Sequence, residues 1–236
     1  MNQSSDRNGR TALRLSFEHQ LAVLQDDVLR MGSYVVQMVN LSMEALLKQD
    51  LALAERVIAM DDVADNMDFQ IEAQSNRLLA LQQPMSRDLR VISTGLKVIT
   101  DLERIGDFAV DIAKTARRIG SEPYYIPLQS LAQMGEAAEW MVRESIHAYV
   151  DHDLDLVETV LTKDDEVDSL YDLLFTELML MMEHDPGTLR PATLLLGVVR
   201  FLERVGDHAV NVAERVYYVE TGEARRVYLA STAVRA

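Results

Sequence analysis

One stretch of this chain is written twice. "LERIGDFAVDIA" runs from Leu102 to Ala113 and "LERVGDHAVNVA" from Leu202 to Ala213. The doubling reaches further. Asp61, Asp62 and Asp65 are matched by Asp164, Asp165 and Asp168, and the "DLR" of Asp88–Arg90 has a weaker echo in Leu189 and Arg190. The offset is 103 residues early in the repeat and 100 late, so the first copy carries three extra residues in between. A chain that repeats at half its length folds as two units of one architecture.

The periodicity says what each unit is made of. Phe17, Leu21, Leu24, Val28, Met31, Val35, Met38, Ser42 and Ala45 alternate steps of four and three, the stripe of a long helix in a bundle. That stripe closes near Lys48. Asp50 is placed to cap a second helix running, with a kink near Asp61, to about Gln82. Pro84 breaks it, and Ser86 is placed to cap a third helix reaching Arg118. "GSEPYYIP", from Gly120 to Pro127, is the linker. Beyond it the order recurs, with helices from about Leu128 to His152, Asp153 to Glu183 and Thr188 to Thr221, and a turn at "HDPG". Only 10 Gly and 5 Pro punctuate the chain, which favours long helices over strands. The expected fold is all-α: two tandem three-helix bundles at 10–119 and 128–223, a linker at 120–127, and flexible tails at 1–9 and 224–236.

Composition narrows the function. The formal net charge of −15 disfavours nucleic acid and anionic membranes as direct partners, since both need a basic footprint. The absence of Cys excludes disulfides, thiolate metal sites and thiol catalysis. The N-terminus "MNQSSDRNGR" is polar, with no signal-peptide core, and no stretch elsewhere could span a bilayer, so a cytoplasmic protein is expected.

The chemistry sits in the repeated acidic pairs. A spacing of four puts Glu103 above Asp107, and Glu203 above Asp207, on one helix face, where like charges repel. The third-helix stripe of Leu89, Ile92, Leu96 and Ile99 continues to Glu103, Gly106 and Val110. Its counterpart of Leu189, Ala192, Leu196 and Val199 continues to Glu203, Gly206 and Val210. Both glutamates therefore fall where a bundle calls for a hydrophobe. Gly106 and Gly206 each cost roughly 1 kcal/mol against Ala inside a helix, which suggests a close approach by something. Asp61 with Asp65, and Asp164 with Asp168, supply a second pair in each half. If the second and third helices of a unit are antiparallel, the pairs converge. Four carboxylates without Cys or His form a hard oxygen environment suited to Mg²⁺, Mn²⁺, Ca²⁺ or Fe³⁺. A lone pair of this kind is more often a solvated face or one neutralised by arginines such as Arg104 and Arg204; its duplication in an apolar setting favours metal.

Other motifs are weaker. Glu144 and His147 match half of a di-iron pattern that needs a second helix to complete it. His208 stands where the first half has Phe108, so it is not a duplicated ligand. Met179, Met181 and Met182 read as adaptable packing. No nucleophile triad, phosphate loop or zinc signature is present.

From Leu15 to Glu223 the chain resembles the PhoU family of bacterial phosphate-uptake regulators. The likeness rests on the doubled "LERIGD" and "LERVGDHAVNVAERVYYVETGE" stretches, the tandem halves and the "QQPMSRDLR" that leads into the third helix. The resemblance implies two three-helix bundles related by a pseudo-twofold axis. It also implies multinuclear clusters of Mg, Mn, Fe, Zn or Ca held by Glu103, Asp107, Glu203, Asp207, Asp61, Asp65, Asp164 and Asp168. It departs at Phe108, where many members have His, and at Asp111, which is Asn211 in the second half. It implies a homodimer that is not an enzyme and does not bind nucleic acid. Such a protein links a phosphate ABC transporter, through its ATPase subunit, to a sensor histidine kinase at the inner face of the membrane. There it acts as a negative regulator of the phosphate-starvation response. From the residues alone two other readings stand: a metal-dependent hydrolase using the clustered carboxylates, and a helical scaffold with solvated acidic pairs. Against catalysis, no acid, base or phosphate-holding group is repeated beside the pairs.

Overall fold

A computed structural model describes residues 3–82, 84–85, 87–124 and 128–223. Among these the elements are α1 (Gln3–Lys48), α2 (Leu51–Gln82), α3 (Arg87–Ile119), α4 (Leu128–Asp151), α5 (Leu154–His184), a 3-10 turn (Pro186–Thr188) and α6 (Leu189–Thr221). The all-α expectation is met. α1 begins at Gln3, so the stretch expected as an N-terminal tail joins the first helix. α2 runs through Asp61 as one helix. Ser86, the end of the linker at 125–127 and the tail at 224–236 lie outside the described residues.

Local chemistry sets the helix ends. The Asp50 carboxylate accepts from the Leu53 N–H at 2.9 Å, and that of Asp153 accepts from the N–H groups of Asp155 and Leu156 at 2.9 and 3.0 Å. Gly120 (φ 62°) and Gly222 (φ 78°) close α3 and α6 in the left-handed conformation that spares glycine a Cβ clash.

Within each half, all three helices pack on one another, and the halves meet through α3 against α6 and α1 against α4. The two central helices are buried on more than one side. Leu102, Ile105 and Ala109 of α3 and Leu202, Val205 and Ala209 of α6 are fully buried. Each larger side chain among them contributes about 1.5–3 kcal/mol of burial free energy. Across Asp101–Val110 and Phe201–Val210 the pattern of burial is the same residue for residue. The stripe departs from expectation at its start: Leu89 and Leu189, in the first turns of α3 and α6, are exposed.

The seam between the halves is reciprocal. Ile146 of α4 lies against Gly32 of α1, and Met43 of α1 lies against Gly135 of α4. Gly32 and Gly135, like Met43 and Ile146, are 103 residues apart. At the α3–α6 crossing, Asp101 accepts from His208 Nδ1–H at 2.9 Å and from the Asn211 amide at 3.3 Å. The repeat mates of Asp101 and His208 are Phe201 and Phe108, and these stack with centroids 6.0 Å apart. The same contact is therefore polar on one side of the pseudo-axis and aromatic on the other. Asp101→Phe alone should destabilise the fold by about 1–3 kcal/mol, because His208 and Asn211 lose their acceptor. Adding His208→Phe, which copies the aromatic side, should recover at least about 0.5 kcal/mol in thermal melts. Strict additivity of the two changes would refute the mirrored design.

Candidate functional site

The packing of α2 on α3 and of α5 on α6 places the eight expected carboxylates in two groups. In the first half, burial raises the pKa of Asp61 above the usual carboxylate range. The charges of Asp65, Asp107 and Asp62 raise it further, and Lys114 opposes them. Glu103 is raised by burial, then by Asp107, Asp68 and Asp65, with Arg104 pulling the other way. In the second half Asp164 is pushed up to about 7, first by burial and then by Asp168, Asp207, Asp165 and Glu203. Glu203 is raised by burial, Asp207 and Asp168 and lowered by Arg204 and Arg200. The mutual influence pairs Asp61 and Asp65 with Glu103 and Asp107, and Asp164 and Asp168 with Glu203 and Asp207. The pairs thus converge as the antiparallel arrangement requires.

Convergence here means a shared field of negative charge. Among the described residues no three His, Asp or Glu side chains stand together as a formed metal cage. Arg104 lies across the first motif, 3.0 Å from Asp107 and 3.4 Å from Glu103, as an exposed counter-ion.

The donor set fits a hard cation: all oxygen, half-buried apart from the exposed Asp65, and in excess of local positive charge. The glycines behave differently in the two halves. A Cβ at Gly206 would meet Asp164 Oδ1 at 3.3 Å, so the missing side chain makes room for that carboxylate. At Gly106 the nearest atoms, Met38 Cε and Ala64 Cβ, lie at 3.7 and 4.0 Å, and the close approach expected there is ordinary contact.

Sequence reasoning passed over Asp68. It is half-buried on α2, its pKa raised by burial and by Glu72 and Asp65, and it in turn acts on Glu103. Its signal was the spacing 61, 65, 68, 72 on one helix face, which a search for duplicated residues overlooks because the second half has no acid at the matching place. Other candidates resolve into local roles. Glu144 binds His147 at 3.2 Å and Arg143 at 3.1 Å in an ion-pair network on α4. Met181 and Met182 pack against the core and Met179 is half-exposed. No helix among the described residues is long and apolar enough to cross a membrane.

Comparison with known proteins agrees with this layout. A family model described as the PhoU domain matches twice, at residues 28–116 and 131–216. A protein of Clostridium acetobutylicum, named a phosphate-specific transport system accessory protein PhoU homolog, is 42% identical over 211 residues, covering 89% of this chain and 96% of that protein. A Deinococcus radiodurans protein of the same name is 35% identical, covering 89% and 99%. The crystal structure of PhoU from Pseudomonas aeruginosa superposes with a TM-score of 0.85 at 34% identity, covering 88% of this chain and all of the other. That of the phosphate transport system regulatory protein PhoU from Streptococcus pneumoniae gives 0.83 at 29%, covering 89% of this chain and all of the other.

Proposed function

Because the chain belongs to the PhoU family, we propose that it is a metal-binding negative regulator of phosphate uptake and of the phosphate-starvation response. It works by linking a phosphate ABC transporter, through the ATPase subunit, to a sensor histidine kinase. A role in the phosphate system is supported by relatives that are accessory proteins of phosphate-specific transport. The observation that carries the metal reading is the pairing of carboxylates, half-buried in all but the exposed Asp65, across the α2–α3 contact and again across α5–α6. Asp61, Asp65, Glu103 and Asp107 would hold the ion in the first half, and Asp164, Asp168, Glu203 and Asp207 in the second. The bound ion supplies positive charge.

The protein's own residues do the rest. α3 and α6 carry the motif carboxylates on a rigid buried frame, Gly206 admits Asp164, and the α3–α6 seam joins the two centres. With a net charge of −15, the protein reaches a membrane complex through the cytoplasmic parts of its partners rather than through lipid or DNA.

Glu103→Gln with Asp107→Asn should lower the metal content of protein purified without chelator or affinity tag, and Glu203→Gln with Asp207→Asn should lower it again. The melting temperature of the wild type should rise with added metal as ln(1 + [L]/Kd). Deleting the gene should leave phosphate-starvation genes on in phosphate-rich medium, and the purified protein should bind the ATPase subunit or the cytoplasmic part of the kinase. A metal-free wild type indifferent to Mn²⁺, Mg²⁺ and Fe³⁺ would sink the metal reading. Tight promoter binding at physiological salt would sink the partner assignment. Steady phosphomonoester turnover lost in the Glu103 and Glu203 variants would replace the regulator with a hydrolase.

A further inference from the structure

The two halves differ most in the length of their first helix: α1 has 46 residues and α4 has 24. α4 begins at Leu128, whose counterpart at the offset of 103 residues is Gln25. Residues 3–24 of α1 therefore have no match in α4. In the first half this extension is a cover. Phe17 and Leu24 on it are buried, Gln20 borders a groove with Ala73, Gln74, Arg77 and Leu78 of α2, and Arg14 reaches Asp88 of α3 at 2.8 Å.

The second half has the covered surface without the cover. The counterparts of Ala73, Gln74, Arg77 and Leu78 are Thr176, Glu177, Leu180 and Met181. Leu78 is 4% exposed, whereas Met181 is only half-buried. Leu180 is 49% exposed, and Leu189, in the first turn of α6, is 56% exposed. The fold does not require a leucine at 180, since the first half carries Arg77 in its place. Met179 and Met182 flank it with adaptable apolar surface. The surrounding charge has one sign. From Asp172 to Asp185 there are four acids, Asp172, Glu177, Glu183 and Asp185, and no Lys or Arg. Arg190, the cation of the next turn, is held by Glu122 at 2.9 Å.

We propose that the last two turns of α5 and the first turn of α6 dock a basic amphipathic helix of a partner protein, which takes the place that the α1 extension takes on α2. The chain's own cover is the template for the occupant. Apolar residues spaced like Phe17, Leu21 and Leu24 would meet Leu180, Met181 and Leu189, and Lys or Arg on the flanks would face the four acids. A second copy of this chain is the poorer occupant. A twofold contact sets the same patch against itself, and would bring four acids against four.

The test is fluorescence anisotropy of the full chain, at physiological salt, with a labelled amphipathic helix of leucine and lysine of about 18 residues, or five turns. The wild type should bind it. A leucine–glutamate helix of the same pattern should bind at least about tenfold more weakly, because the acids then repel it. Leu180→Gln with Leu189→Gln should weaken the leucine–lysine helix at least about tenfold, the loss expected on removing two apolar anchors. Both side chains are exposed, so this variant should melt with the wild type. Leu81→Gln with Leu89→Gln, at exposed leucines of the matching end of the first half, is the control and should leave binding unchanged. Hydrogen exchange should show peptide-induced protection within residues 173–193. Equal weakening by the two double variants would mean binding to the net negative charge alone and would overturn the proposal, as would no binding or protection placed elsewhere. Sedimentation showing a dimer that Leu180→Gln with Leu189→Gln dissolves would give the face to a second copy. Binding to phosphatidylcholine vesicles that the same variant loses would give it to a membrane. Either result would overturn the assignment to a partner helix.

Discussion

Chelator-treated protein should become less stable as the pH rises from about 4 to about 7, and Asp164→Asn should abolish most of that loss. Folding raises the Asp164 carboxyl from 3.8 to about 7, through burial first and through Asp168, Asp207, Asp165 and Glu203 after it. A raised acid prefers its proton in the folded state. Its stabilising contribution is therefore complete below its unfolded value and disappears as the pH climbs through the folded one. The full difference corresponds to about 4 kcal/mol. Partial exposure to water screens it, and about 2 kcal/mol is the appropriate scale. For a chain of this length that is a fall of about 4–8 °C in melting temperature. Asp61, Glu103 and Glu203 move in the same direction and add to the slope. In EDTA at pH 8, Asp164→Asn should melt above the wild type, and at pH 4 the two should coincide. Excess Mn²⁺ should reverse the order at pH 8, because the wild type then gains binding free energy that the amide cannot match. A variant less stable than the wild type in EDTA at pH 8 would mean that Asp164 is held ionised by a protein partner.

Much of this site was legible because the sequence says it twice. Duplication separated Glu103 and Asp107, and Asp61 and Asp65, from the ordinary acidic residues of helix surfaces, and the apolar period placed them on facing helices. Residues that duplication does not mark were harder to find. Asp68 has Tyr171 as its counterpart, so it was invisible to a comparison of the halves, and only the packing of α2 on α3 ties it to Glu103. Asp101 offered no signal at all, since its partners His208 and Asn211 are more than 100 residues away and lie on the other unit. The exposure of Leu89 and Leu189 has a related cause. Periodicity tells which side of a helix faces inward but not how far the neighbouring helices extend alongside it.

Gly32 and Gly135 illustrate the same limit, and they should respond unequally to the same substitution. Each is a helical glycine whose replacement by Ala gains about 1 kcal/mol of helix propensity. Each also faces a side chain from the other half. At Gly32 a new Cβ would lie 2.5 Å from Ile146 Cδ1, 2.9 Å from Cγ1 and 3.1 Å from Cγ2. Cγ1 and Cγ2 branch directly from the Cβ of a buried residue on α4, so rotating the chain end does not relieve the overlap. Either α1 and α4 move apart or Ile146 leaves its rotamer, and overpacking of this kind costs about 1–3 kcal/mol. At Gly135 a new Cβ would lie 2.8 Å from Met43 Cε, 3.0 Å from Cγ and 3.4 Å from Sδ, so turning the tip alone does not clear it, but the unbranched thioether can change rotamer where the β-branched isoleucine cannot. Gly32→Ala should therefore be net destabilising by up to about 2 kcal/mol, and Gly135→Ala should cost less than Gly32→Ala. Thermal or urea melts read both. Gly32→Ala combined with Ile146→Ala should cost less than the sum of the single changes, because the new methyl occupies part of the space the isoleucine leaves. If the two alanine variants melt alike, the seam between the halves is more compliant than its reciprocal packing indicates, and α1 and α4 adjust by sliding rather than by holding their register.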